Sequence, residues 1–272
     1  MNTRSTPPPS ARISQVLVVV PARDEEERLG TCLHHVQLAM DQLTFHHNVT
    51  VRLSVVVDSS TDGSLCIAQE ASKRDPRIVS LNVEVGSPGR ARDAGIRAGL
   101  DDVPANELGG VLVACTDGDT FVPADWLVSL VNVANEGADA ILGTVEPDPR
   151  DTDPDLAKLW HERHDPLDGT EHIYGANMAF RANAYLQAGG FPAYDIGEDA
   201  AFIRALRDAG KLVVGSTAVH AVTSGRLQGR TAGGFAGYLR DLQPGVRRGE
   251  RRLPAHVTAY PGSYPSALPR RQ

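Results

Sequence analysis

Asp117 and Asp119 stand one residue apart in Thr116-Asp117-Gly118-Asp119, directly after the apolar run 110–115. At the exit of a buried strand, two such carboxylates face one small volume from a rigid platform. Oxygen ligands of this kind suit Mg²⁺ or Mn²⁺, hard cations that keep several waters and share the rest of their shell with phosphates. Asp-Gly is also ordinary turn chemistry, so the tetrad alone leaves a metal site and a tight turn both open. A second acid pair, Glu198-Asp199, follows Gly197 and opens a helix-period segment. Backbone N–H groups at such a start favour ionised carboxylates.

The elements that must position these groups follow from hydrophobic periodicity. Apolar strand-length runs at 16–20, 51–57, 78–83, 110–115 and 140–145 alternate with helix-period segments at 25–43, 64–74 and 89–100, and with a helix opened by Pro123. Val-rich runs without polar alternation indicate strands buried on both faces, so the chain is α/β, doubly wound, with helices covering a mostly parallel sheet. Beyond residue 147 the texture changes. The run 148–155 reads as a loop and 156–164 as a short helix; strands are expected at 174–181 and 212–215 around a helix at 199–208.

In an open α/β sheet, ligands bind beyond the carboxyl ends of the strands. There lie Pro21-Ala22-Arg23-Asp24-Glu25-Glu26, then Asp58-Ser59-Ser60-Thr61-Asp62-Gly63-Ser64, then Gly86 to Asp93, and lastly Asp117-Gly118-Asp119. Each cluster alone is a turn; four in order at equivalent strand ends describe one site.

Composition bounds what that site can serve. The 272 residues fit one large domain or one domain with a small extension, and a formal charge of −7 with no dense basic stripe excludes nucleic acid as a bulk partner. Cys32, Cys66 and Cys115 lack CxxC spacing, and buried free thiols in a reducing compartment are expected. No apolar run is long enough for a transmembrane helix. Residues 1–15 read as a flexible leader and 243–272 as a Pro/Arg-rich disordered tail. The tail's arginine pairs, 247–248 and 251–252, read as solvated charge or as contact with an anionic membrane surface.

With these motifs in this order, the chain resembles a family 2 glycosyltransferase of the GT-A fold from about Val16 to Leu239. The resemblance implies a metal-dependent, inverting transfer from a nucleotide-diphosphate sugar, UDP-sugar first, to an acceptor hydroxyl. It implies a single GT-A domain over 16–242, with a nucleotide-binding half at 16–146 and an acceptor-binding half at 147–242. Pro21, Ala22, Arg23 and Glu25 would line the nucleobase and ribose pocket. Asp58 would accept hydrogen bonds from base or ribose, or serve as an acid at the start of the next helix. Gly89 and Arg92 would shape the third wall, although Arg92 also fits a surface cation. Asp119 would bind Mn²⁺ or Mg²⁺ directly, and Asp117 would touch ribose or reach the metal through water.

The same resemblance makes Asp199 the base that deprotonates the acceptor, with Glu198 the alternative. Gly175 and Asn177 would sit by the acceptor and donor sugar, and Trp160 would contact the acceptor or, as a lone Trp on a short helix, serve as packing. His220 fits a third metal ligand or a hydrogen-bonded structural histidine. Arg226 and Arg230 would clamp the diphosphate, since guanidinium binds phosphate oxygens bidentately. The helix starting near Gly229 would act as a lid. One departure is Ser59-Ser60, where many members carry acids or Asp-Gly.

The implied acceptor is a small molecule, a glycan or a lipid-linked intermediate, met in the cytoplasm or at the inner membrane surface. Two other functions keep the fold. A nucleotide-sugar-forming nucleotidyltransferase would want a Gly-rich loop with Arg and Lys after the first strand, where this chain has Pro-Ala-Arg-Asp-Glu-Glu. A degenerate GT-A binding module would not need both acid pairs. An NAD-binding Rossmann domain is excluded because no GxGxxG follows the first strand.

Overall fold

The computed structural model describes residues 11–164, 172–194, 196–229 and 234–243. Arg230, most of the Gly-rich stretch after it and the basic tail from 244 lie outside the described residues. The order is β1 (Gln15–Ala22), α1 (Leu29–His46), β2 (Thr50–Asp58), α2 (Ser64–Arg74), β3 (Ile78–Val83), α3 (Pro88–Leu100), β4 (Val111–Cys115), β5 (Thr120–Phe121) and α4 (Trp126–Asn135). Then come β6 (Ala140–Pro147), α5 (Pro154–Arg163), β7 (Met178–Arg181), α6 (Ala182–Gln187), α7 (Glu198–Asp208), β8 (Val213–Thr223) and α8 (Phe235–Leu242).

The strands form one mixed sheet in the order β3-β2-β1-β4-β7-β6-β8-β5. Pairings β1–β2, β2–β3, β1–β4 and β6–β8 are parallel; β7 runs antiparallel between β4 and β6, and β5 antiparallel on β8. β1, β4 and β2 from Leu53 onward are buried on both faces, whereas β3 at the sheet edge is half-exposed, with Val79 facing solvent. In β1, Val16, Val18 and Val20 join one core with α1, α2 and α4, while Leu17 and Val19 join the other with α3, α6 and α7. A third, smaller cluster pins α5 to α8 through Leu156, Trp160, Leu239 and Leu242. This doubly wound plan places the carboxyl ends of β1, β2 and β4 side by side.

Local chemistry moves several boundaries. The first helix starts at Leu29, not at 25, because the Glu25 carbonyl accepts the N–H groups of Arg28 and Leu29 in a separate turn. The strand expected from 174 starts at Met178, because the Asn177 N–H closes a turn onto the Tyr174 carbonyl. The strand expected at 212–215 continues to Thr223. Residues 11–14, expected in a flexible leader, are fastened: the buried Ile13 donates its N–H to Asn135 Oδ1 and Ser14 to the Gly110 carbonyl. Cys32 and Cys115 are buried as expected, but Cys66 is exposed on α2.

Candidate active site

The ends of β1 and β2 are laced together. Asp24 and Ser59 adopt left-handed backbone with φ of 49° and 52°, a region non-glycine residues rarely occupy and which collects at functional sites. Asp24 Oδ1 accepts the Thr61 N–H, and Ser60 Oγ accepts the Asp24 N–H. Ser64 Oγ accepts the Glu25 N–H, Asp62 accepts that of Glu26, and Glu26 accepts that of Gly63. Asp58 is buried, and its Oδ1 takes the N–H groups of Val85 and Gly86 with the Ser59 hydroxyl. That carboxylate therefore also fixes the path of the chain from β3 into α3.

Arg92 ties the two acid pairs to each other. Its Nη2 donates to Asp117 Oδ1 at 2.6 Å and its Nη1 to Glu198 Oε1 at 2.8 Å. The guanidinium is buried, and one glycine makes its room while a second makes room for its partner Glu198. A Cβ on Gly175 would stand 2.5 Å from Arg92 Nη2, and one on Gly89 would stand 2.6 Å from Glu198 Cγ. Burial, the largest influence on Arg92, disfavours its charge, but Asp117 and Glu198 outweigh it and hold the group well above the ordinary guanidinium range. Burial pushes the Glu198 carboxyl up, with Arg92 opposing. Asp199 is placed differently: Oδ2 accepts the Gly175 N–H at 3.1 Å and Oδ1 the Ala200 N–H at 2.8 Å.

Asp119 meets a second arginine. Arg226 forks onto Glu25, Nη1 to Oε2 at 2.9 Å and Nη2 to Oε1 at 2.6 Å, and Nη2 also lies 3.0 Å from Asp119 Oδ2. Hydrogen bonds to Glu25, reinforced by Asp119, hold the Arg226 charge above its ordinary range. The residues before Arg226 are strapped down by the 148–152 turn. Asp151 accepts the Gly225 N–H and the Ser224 hydroxyl, and Asp148 donates its N–H to the Thr223 carbonyl. Arg28, at the start of α1, reaches both Asp148 and Asp151.

These groups fit a divalent cation. Among the described residues no three His, Cys, Asp or Glu side chains form a ready-made cage. An ion here would fill its shell with phosphate oxygens and water, as hard cations with few protein ligands do. The donors are carboxylate oxygens, and a positive guanidinium already stands between two of them.

The remaining expected residues are distributed around this centre. Pro21 and Ala22 end β1 against the Asp117-Gly118-Asp119 turn, where Gly118 donates its N–H to the Pro21 carbonyl; Arg23 is exposed. Asn177 is buried, and its amide is spent on the fold. It donates to the Thr144 and Val219 carbonyls and accepts from Trp126 Nε1, bridging the register shift where β6 and β8 part after Gly143. Trp160 is buried in the α5–α8 cluster, stacked on His164 at 3.6 Å. His220 is exposed on β8 between buried Val219 and Ala221, paired in the sheet with Thr144. Sequence reasoning missed Arg28, Asp148 and Asp151. Their only signal was an acidic loop, and nothing local pairs it with Ser224 and Gly225 more than seventy residues on.

Comparison with known proteins gives the family and the fold. Residues 17–186 match the model of glycosyl transferase family 2. An undecaprenyl-phosphate 4-deoxy-4-formamido-L-arabinose transferase of Serratia proteamaculans is 31% identical over 143 residues, 52% of this chain and 39% of that protein. Its counterpart from Edwardsiella ictaluri is 30% identical over the same span. The chain thus spans about two fifths of the length of these curated relatives. Among solved structures, a mannosyltransferase from Pyrobaculum calidifontis in complex with GDP-Man and Mn²⁺ has a TM-score of 0.54 at 19% identity, covering 85% of this chain and 61% of that one. S. aureus TarS 1-349 in complex with UDP-GlcNAc has a TM-score of 0.56 at 17% identity, covering 80% and 60%. At such identities these likenesses concern the fold, which is GT-A.

Proposed function

The chain belongs to glycosyl transferase family 2, and from that premise we propose a metal-dependent, inverting transfer of a sugar from a nucleotide-diphosphate sugar to an acceptor hydroxyl. The observation that supports it is the Asp117–Arg92–Glu198 bridge, which joins the two acid pairs in one site. In this reading residues 16–146 receive the nucleotide and 147–242 the acceptor. UDP is the first candidate donor nucleotide and GDP the second.

Asp199 is the base. Two backbone N–H groups hold its carboxylate at the start of α7, where the helix dipole also favours negative charge. From there it takes the proton of the acceptor hydroxyl as that oxygen attacks the anomeric carbon from the face opposite the nucleotide. Glu198 is engaged by Arg92 and serves as its counter-ion. Asp119 and Glu25 face the diphosphate, and Arg226 can turn its fork to phosphate oxygens. Mn²⁺ or Mg²⁺ bound there supplies charge neutralisation for the departing diphosphate.

The name of the curated relatives, undecaprenyl-phosphate transferases, supports a lipid-linked acceptor here, one that presents a hydroxyl to Asp199. No helix among the described residues is long and apolar enough to cross a membrane. Exposed Tyr194 and Ile196, just ahead of the acid pair, offer apolar contact to such an acceptor.

Asp199→Asn tests the assignment. Turnover is expected to fall at least a hundredfold, while equilibrium binding of donor with Mn²⁺ stays within about twofold. Near wild-type turnover would remove Asp199 from the base role.

A further inference from the structure

We infer that Arg226 is an exchangeable counter-cation for a metal seat built from Glu25 as well as Asp119, and that it passes to the donor's diphosphate when the metal ion arrives. The inference rests on the metal-dependent transfer proposed above and deepens it by naming a further ligand and the order of events.

Nη2 of Arg226 lies between Glu25 Oε1 and Asp119 Oδ2, at 2.6 and 3.0 Å. Two carboxylates from different strand ends thus share one cationic nitrogen. Both are largely withdrawn from water, with side-chain exposures of 6% and 15%. Carboxylates so placed repel each other unless a cation stands between them. A divalent ion satisfies that requirement better than a guanidinium, because it brings twice the charge and accepts oxygens in several directions.

The two arginines at the Asp117-Gly118-Asp119 turn differ in freedom. Arg92 is 3% exposed, with Gly175 against its guanidinium and carboxylates on two sides. Arg226 is 32% exposed. Its attachment runs through Ser224 and Gly225 to Asp151, so the guanidinium can swing without breaking the strap. Asp117 is accordingly the fixed half of the turn and Asp119 the exchangeable half. The fork that grips Glu25 bidentately has the geometry that grips a phosphate.

A consequence is cooperativity between metal and nucleotide. Metal alone must displace a tethered cation, which then gives up its two carboxylate partners for water. Metal with a diphosphate gives Arg226 a new anionic partner, so each ligand raises affinity for the other by the same factor.

Titration of free Mn²⁺ by electron paramagnetic resonance reads this directly, without turnover. For the full chain without nucleotide, Arg226→Ala is expected to bind Mn²⁺ at least tenfold more tightly than wild type. Adding Glu25→Gln to that variant is expected to remove the gain. Saturating UDP, with GDP in parallel, is expected to tighten Mn²⁺ binding at least tenfold in wild type and by less in Arg226→Ala. Arg226→Gln, closer in shape, is measured alongside and carries the same expectation should the alanine variant not fold. Unchanged or weaker Mn²⁺ binding in the folded variants, while wild type still takes Mn²⁺ with a nucleotide, would overturn the exchange and leave the transfer standing. A gain that survives Glu25→Gln would overturn Glu25 as a ligand. No Mn²⁺ binding by wild type with either nucleotide would remove the transfer reading and this inference with it.

Discussion

Arg92 shows how a side chain expected at a pocket wall becomes the brace of the whole centre. It lies 106 residues before Glu198 and 25 before Asp117, and it neutralises both from a buried position. Removing one partner of a buried ionic network leaves charge without compensation, at a cost of about 3–5 kcal/mol. Arg92→Met is therefore expected to destabilise the protein by about that amount. The deficit should also depend on pH. Glu198 has a raised folded pKa, and losing Arg92 raises it further. A carboxyl with a raised folded pKa contributes stability below its unfolded value, about 4.5, and loses it as pH rises through the folded value. Urea unfolding should show the smallest deficit near pH 5 and the largest near pH 8. A deficit independent of pH would contradict the pairing. Residue types and spacing pointed to Asp117, Asp119, Glu198 and Asp199, and the fold brings the two acid pairs together through Arg92. Residue type could not give away Asn177, whose amide looks the same whether it meets a sugar or two unpaired carbonyls.

Among the elements, the Val-rich strands and the helices between them were legible because burial on both faces leaves no polar alternation. What was not legible depends on pairing. β5 has two residues and β7 four, and each exists only because a long neighbour supplies its hydrogen bonds. The extension of β8 past the register shift depends on Asn177 filling the gap, and Gly143 permits it, since a Cβ there would lie 2.3 Å from Asn177 Nδ2. The strap after β8 was equally hidden. A Cβ on Gly225 would fall 1.7 Å from Thr152 Oγ1, so this glycine is needed for close approach. Gly225→Ala is expected to cost about 1–3 kcal/mol by overpacking, and to speed tryptic cleavage after Arg226 several-fold. Cleavage at the wild-type rate would mean that the strap does not hold the segment.

At the scale of the molecule, one mixed sheet brings the two acid pairs and Glu25 together at the carboxyl ends of its strands, where Arg92 and Arg226 bridge them. The GT-A plan follows from β1 to β4, while the second acid pair hangs on the antiparallel β7 and on α7. The central claim is that this site binds a nucleoside diphosphate together with a divalent metal. Thermal unfolding with UDP, GDP, CDP, ADP and TDP, each with and without Mn²⁺, tests it most directly. Ligand at about 100 times its dissociation constant adds about 2.7 kcal/mol of apparent stability, a shift of several degrees for a domain of this size. The account predicts such a shift for one nucleotide, UDP first, and only when Mn²⁺ is present. No shift with any nucleotide, or the same shift without metal, would contradict it.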